Sequence, residues 1–238
     1  MTTALDFEGF PAEAFTFLRN LGDNNTREWF EEHKDTYQTT IVEPSKAFIL
    51  ALGDRLKTLS PNVRYDTATN GSGSMFRIYR DVRFSKDKTP YKTQLGMVFW
   101  IGPGKKTEHP GYYFQISPEG GFTGGGSYFM PKEMLAAYQQ AVDADATGEP
   151  LAEAVAQIRA QAGFTVTGEQ YKRVPRGYNK DHPRAELLRH KGLHANAPNI
   201  AAADLHGPAA TDRVFETLKI VAPLVNWFAE LDEKVLRT

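Results

Sequence analysis

Apolar residues recur first at helical spacing, then at strand spacing, and the change of period organises the chain. Ala14, Phe15, Phe17, Leu18 and Leu21 form one stripe, so Pro11 to Leu21 reads as a helix capped by Gly22. Asn24 and Asn25 begin a second helix, with Glu28 placed after Asn25 as in a capping box. Trp29, Phe30, His33 and Tyr37 share its inner face, where His33 is expected to be a hydrogen-bonded core histidine. Pro44 opens a third helix, carrying Phe48, Ile49, Leu52, Leu56 and Leu59 inward and stopping before Pro61. From Phe76 the period becomes two. Phe76, Ile78, Val82 and Phe84 fall on one side of a strand, and Arg77, Tyr79, Asp81 and Arg83 on the other. Leu95 to Ile101 alternates in the same way. Matching the apolar faces pairs Phe84 with Leu95 and sets Arg83 beside Gly96, leaving room above the sheet for a ligand.

Two more strands follow, at Gly111 to Ser117 and Gly120 to Phe129. Gly124, Gly125 and Gly126 interrupt the last, marking a bulge or the close approach of a ligand or neighbouring backbone. Helices are expected after Pro131 and from about Glu149 to Ala162, a short strand at Phe164 to Thr167, and a short helix around Leu187. A long C-terminal helix from Pro208 is expected to kink or split at Pro223. The pattern predicts an α+β fold, a predominantly antiparallel sheet covered by helices. With no low-complexity linker it reads as a single domain over 1–238, with a possible helical subdomain edge near 131.

Charge adds a second layer. The chain carries a net −1, yet Arg77 to Lys92 holds six basic residues against two acidic ones. Lys172 to Lys191 holds seven against two. Near-neutral totals argue against a general nucleic-acid coat, while local surpluses suit a bound anion. The expected ligand-binding residues are Arg77, Tyr79, Arg83, Ser85, Lys86, Lys88, Tyr91 and Lys92, joined by Arg173 and Arg176 of the second segment. Arg77 and Arg83 lie roughly 20 Å apart on an extended strand, so an elongated anion, such as a nucleotide or phosphorylated sugar, fits better than one small ion. Arg80 faces the apolar side and calls for a buried carboxylate, from the helical layer.

Cysteine is absent, which removes disulfides, thiol nucleophiles and cysteine-held metals. His190 and His194 have helical ligand spacing but Gly192 between them, and no metal or cofactor is expected. The opening residues lack a basic start and an apolar core, so a cytoplasmic location and no membrane association are expected. Asn70 to Ser74 is glycine-rich but has no P-loop lysine.

The stretch R-D-V-R-F-S-K-D-K-T-P-Y-K-T, Arg80 to Thr93, resembles the signature of the family called domain of unknown function 2461. F-E-G-F-P from Phe7, N-N-T-R-E-W-F from Asn24, G-Y-Y from Gly111, K-R-V-P-R-G-Y from Lys172 and D-H-P from Asp181 extend the resemblance. It implies no reaction or cofactor. Three function classes follow from the residues. One is a module for an anionic ligand. Another is an enzyme on a phosphorylated substrate, with Asp81 or Asp87 as base. The third is a domain that docks an acidic protein.

Overall fold

The computed structural model describes residues 6–237. Residues 1–5, on which the expectation about the chain's opening rests, lie outside them. The chain begins with α1 (Ala12–Asp23), α2 (Arg27–Glu32) and α3 (Lys34–Tyr37). One turn of π-helix, Gln38–Val42, leads directly into α4 (Glu43–Leu56), which carries Pro44 near its start. Three strands follow: β1 (Leu95–Trp100), β2 (Gly111–Ser117) and β3 (Gly120–Ser127). Then come α5 (Lys132–Asp143), α6 (Asp145–Arg159), β4 (Thr165–Thr167), α7 (Ala185–Leu188), β5 (Leu193–Asn196) and β6 (Ile200–Ala201). A 27-residue helix, α8 (Ala210–Leu236), ends the chain.

The sheet is antiparallel throughout, in the order β1-β2-β3-β5-β4, with β6 beside the far end of β3. Period two sorts its faces. Leu95, Met97, Phe99, Tyr112, Phe114, Ile116 and Thr123 point into the helical layer and are buried. Val98, Tyr113, Gln115, Phe122, His194 and Asn196 point to the other face and stay half-buried. On the covered side Phe7, Phe10, Phe48 and Phe114 pack with ring centroids 4.6–6.0 Å apart. One continuous core runs from Phe7 to Phe228, so the α+β, single-domain expectation stands.

Helix α8 runs unbroken through Pro223 rather than splitting there. Its stripe Val214, Leu218, Val221, Val225 and Phe228 is buried against the sheet, and that packing holds the helix together. A Cβ on Gly125 would stand 2.8 Å from Val225 Cγ2 and 2.9 Å from Val221 Cγ2. Gly124 and Gly126 instead admit the β5 backbone, and a Cβ on either would meet a β5 carbonyl oxygen at 2.5 Å. The glycine run thus serves two neighbours, a helix below and a strand beside it.

Two local expectations, both of helix caps, are corrected. Gly22 lies inside α1, whose C-cap is Asn24. Thr26, not Asn25, caps α2, accepting from Trp29 N at 3.2 Å. Asn25 is freed to clamp Tyr91, donating to its carbonyl and accepting from its amide, both at 3.0 Å. His190 and His194 stand on extended backbone, in a bridge with Gln170 and in β5, so the helical ligand pair does not form.

The largest correction concerns residues 75–84. They form no regular strand. Met75 faces Met97, where the expected register set Val82, and Tyr79 faces Tyr91. Past Arg80 the chain curls away and Phe84 is 96% exposed. Arg80 finds its carboxylate not in the helical layer but in its own loop. It donates to Asp87 at 2.5 Å and to the Thr89 hydroxyl. A carboxylate seven residues on closes the loop locally, whereas an extended strand would have carried Arg80 into apolar surroundings.

Candidate functional site

The exposed sheet face carries a cleft of about 560 Å³. Its floor is Gly124 to Gly126 with Tyr113 and Phe122; its walls are Phe76, Val98, Tyr128 and His194. The 102–110 turn closes one end with Lys106, Thr107 and His109. His109 is fixed there by Asp232 of α8, Nδ1 to Oδ2 at 2.7 Å with both side chains buried. A cavity of this volume, mostly apolar with a few polar groups, is of the size that holds small organic ligands.

Several polar groups on the cleft have no partner among the described residues. His194 Nδ1 is buried and unbonded. Burial lowers its pKa, which keeps the ring neutral near pH 7. The Asn196 amide, the Tyr128 hydroxyl and the Thr107 hydroxyl also lack partners. Tyr113 donates to Gln115 Oε1 at 2.8 Å, and burial pushes its pKa up to about 12, so it remains a phenol.

Lys106 is the unusual group. Only 8% of it is exposed. Its ammonium donates to the Gly73 and Met75 carbonyls and lies 4.3 Å from the centre of the Phe76 ring. Burial, and then repulsion from Lys92, bring its pKa down to about 8. Lys92 is lowered in turn by burial and by Arg77. Arg77 has no side-chain partner among the described residues. Two cations, Lys106 and Lys92, therefore flank the Phe76 ring at the cleft's hairpin end. Asp66 acts on Lys106 only from beyond ion-pair range, its own Oδ1 accepting from the Ala68 amide at 2.6 Å.

The residues expected from sequence divide into groups. Arg77 and Tyr79 line a separate small cleft of about 200 Å³ with Tyr37, Gln38 and Thr69, beside the π-helical turn. Lys92 Nζ donates to the Arg77 carbonyl at 2.8 Å. Tyr91 is buried, stacked on Phe30 at 4.2 Å. Arg83 forms a two-pronged pair with Asp81, at 2.9 and 2.7 Å, and both are exposed. Lys88 donates to the Val82 carbonyl at 2.9 Å. Ser85 and Lys86 sit on the same outer loop. The Arg83 side chain and backbone hold Asp81 at about 2, and the Thr89 amide and Arg80 hold Asp87 at about 2. Such carboxylates are poor proton acceptors at neutral pH.

Arg173 and Arg176 lie elsewhere. Segment 172–189 leads into β5 on the β4 side, through the Gln170–His190 bridge, while the hairpin flanks β1. Four inter-strand steps separate the two edges, about 19 Å. The two basic segments therefore do not converge. Pairing order decides this, and no local pattern records it.

Lys106, Tyr113, His194 and Asn196 were not among the expected ligand residues. Only the glycine run pointed towards them.

No helix among the described residues is long and apolar enough to cross a membrane, and none of their His, Asp and Glu side chains cluster in threes fit for a metal. No curated protein matches the chain significantly. Residues 13–227 match the model of DUF2461, described as a conserved hypothetical protein, and the chain belongs to that family.

Proposed function

We propose that the protein binds a small organic anion in the cleft on the exposed sheet face. The aromatic or otherwise flat body of the ligand lies between Phe76, Tyr113, Phe122 and Tyr128, and its acidic group sits towards Lys106, with Lys92 across the Phe76 ring. One observation carries the reading: a nearly buried ammonium, repelled by a neighbouring cation, on the wall of an apolar cleft with no carboxylate paired to it. Bringing an anion there offsets both the repulsion and the lost hydration. His194 and Asn196 at the other end offer hydrogen bonds that fix the ligand's orientation. The anionic ligand expected from the sequence is thereby kept, but moved from the outer loop to the hairpin root.

A pair of probes tests this. 8-Anilinonaphthalene-1-sulfonate and N-phenyl-1-naphthylamine share one aromatic body, and only the first carries an anion. The folded protein is expected to bind the sulfonate more tightly by fluorescence titration. Val98→Trp, which fills the cleft from its wall, abolishes binding of both. Lys106→Met removes the preference for the sulfonate. Equal affinity for the two probes in the wild type, or undiminished binding in Val98→Trp, overturns the reading.

A further inference from the structure

The second basic segment sorts its own charges. Arg184 is buried and anchors the segment to the α5–α6 junction, donating to the Val142 carbonyl at 2.7 Å, the Asp143 carbonyl at 2.9 Å and Asp145 at 2.7 Å. Lys191 pairs with Glu169. What remains gathers around a shallow cleft of about 470 Å³ formed by Arg173, Val174, Tyr178, Lys180, Glu186 and Arg189. Neither guanidinium group, of Arg173 or of Arg189, makes a hydrogen bond or close ion pair among the described residues. Lys180 reaches only Asp181, at 3.9 Å, with both side chains mostly exposed.

Glu186, the one carboxylate on the cleft, attracts Arg189 only from beyond ion-pair range. Arg159 of α6 grips both its oxygens, at 3.1 and 2.5 Å, and holds its pKa below the usual range. The local fold thus occupies the acid and leaves two arginines and a lysine facing one opening. Guanidinium forks match the spacing of phosphate oxygens, and two of them suit a dianion.

We infer that this cleft is a second ligand site, independent of the central one, which takes the phosphate monoester group of a small molecule. The two arginines hold the phosphate, Lys180 adds charge at the rim, and Tyr178 offers a ring face to the attached body. A cleft of this size accommodates a mononucleotide rather than a folded partner. The tight turns at 175–178 and 179–182 and the Arg184 anchor set the spacing of the side chains before any ligand arrives.

Calorimetric titration of the full chain with adenosine 5′-monophosphate, adenosine, inorganic phosphate and a phosphoserine peptide tests the inference. The monophosphate binds, adenosine does not, and phosphate binds more weakly than the ester. Arg173→Gln and Arg189→Gln each weaken the monophosphate about tenfold or more, as expected for a charge-assisted contact. Lys132→Gln, an exposed change at the start of α5 and outside the cleft, leaves it unaltered, as does Val98→Trp in the central cleft. Circular dichroism checks that both arginine variants fold; their side chains support no other residue. No binding of the monophosphate, equal binding of adenosine, a preference for the peptide, or affinity unmoved in both arginine variants overturns the inference. Loss of monophosphate binding in Val98→Trp overturns the independence of the two sites.

Discussion

Gly125→Ala isolates the contact on which the sheet and α8 depend. The added methyl would stand 2.8 and 2.9 Å from the Val225 and Val221 methyl carbons. Carbon atoms rest about 3.5–4.0 Å apart, so the helix must withdraw by roughly 0.7–1 Å or the strand must bow. The Gly125 backbone itself is not left-handed, so alanine introduces no dihedral strain there. The cost is therefore one of overpacking, about 1–3 kcal/mol, partly offset by the smaller entropy of the unfolded alanine chain. In a chain of this length that lowers Tm by about 2–12 °C. Val225→Ala alone removes buried methyls and costs about 1.5–3 kcal/mol. The double variant should be more stable than the sum of the two, by at least about 0.5 kcal/mol, because the second change opens the space the first needs. Urea unfolding followed by circular dichroism, with an unchanged m-value, measures all four corners of the cycle. Strict additivity, or a neutral Gly125→Ala, would refute the claim that glycine is required by the helix beneath it.

Four further outcomes follow from named contacts. Affinity for the sulfonate probe should fall as pH rises through about 8, because the anion favours protonated Lys106; a flat profile from pH 7 to 9.5 would count against that lysine. The same shift should show in stability. Lys106 is lowered from 10.5 to about 8 on folding, so the folded state binds fewer protons between those values, and stability rises with pH across that window by up to about 3 kcal/mol. Comparing wild type with Lys106→Met at pH 7.5 and 9.5 isolates this contribution. Phe48→Ala empties the centre of the Phe7–Phe10–Phe114 cluster and should cost about 3–5 kcal/mol, roughly 6–20 °C in Tm by calorimetry. Asn25→Ala removes both bonds to the Tyr91 backbone, and hydrogen exchange at Tyr91 and Lys92 should quicken well beyond that at Phe99.

The amino-acid sequence by itself determined the elements whose periodicity is strong. The inward faces of α1, α4, β1, β2 and α8 follow directly from apolar spacing, since a helix or strand side that repeats must be buried. His33 bonds the Trp29 carbonyl at 2.7 Å, but it is half-buried at the break between α2 and α3 rather than in the core. The same rule misled at residues 76–84. Alternation there is genuine, but Arg80 is captured by Asp87 and Thr89, and a few local charge-assisted bonds outweighed extension of a strand with Arg80 on its apolar side. The sequence marked the glycine run as a place of close approach and left open what approaches; α8 and β5 supply the answer. Lys106, Tyr113, His194 and Asn196 are scattered over some ninety positions, and only antiparallel pairing sets the last three on one face of the sheet. Whether two basic segments meet is likewise a matter of strand order, which arises from long-range pairing and from no local spacing.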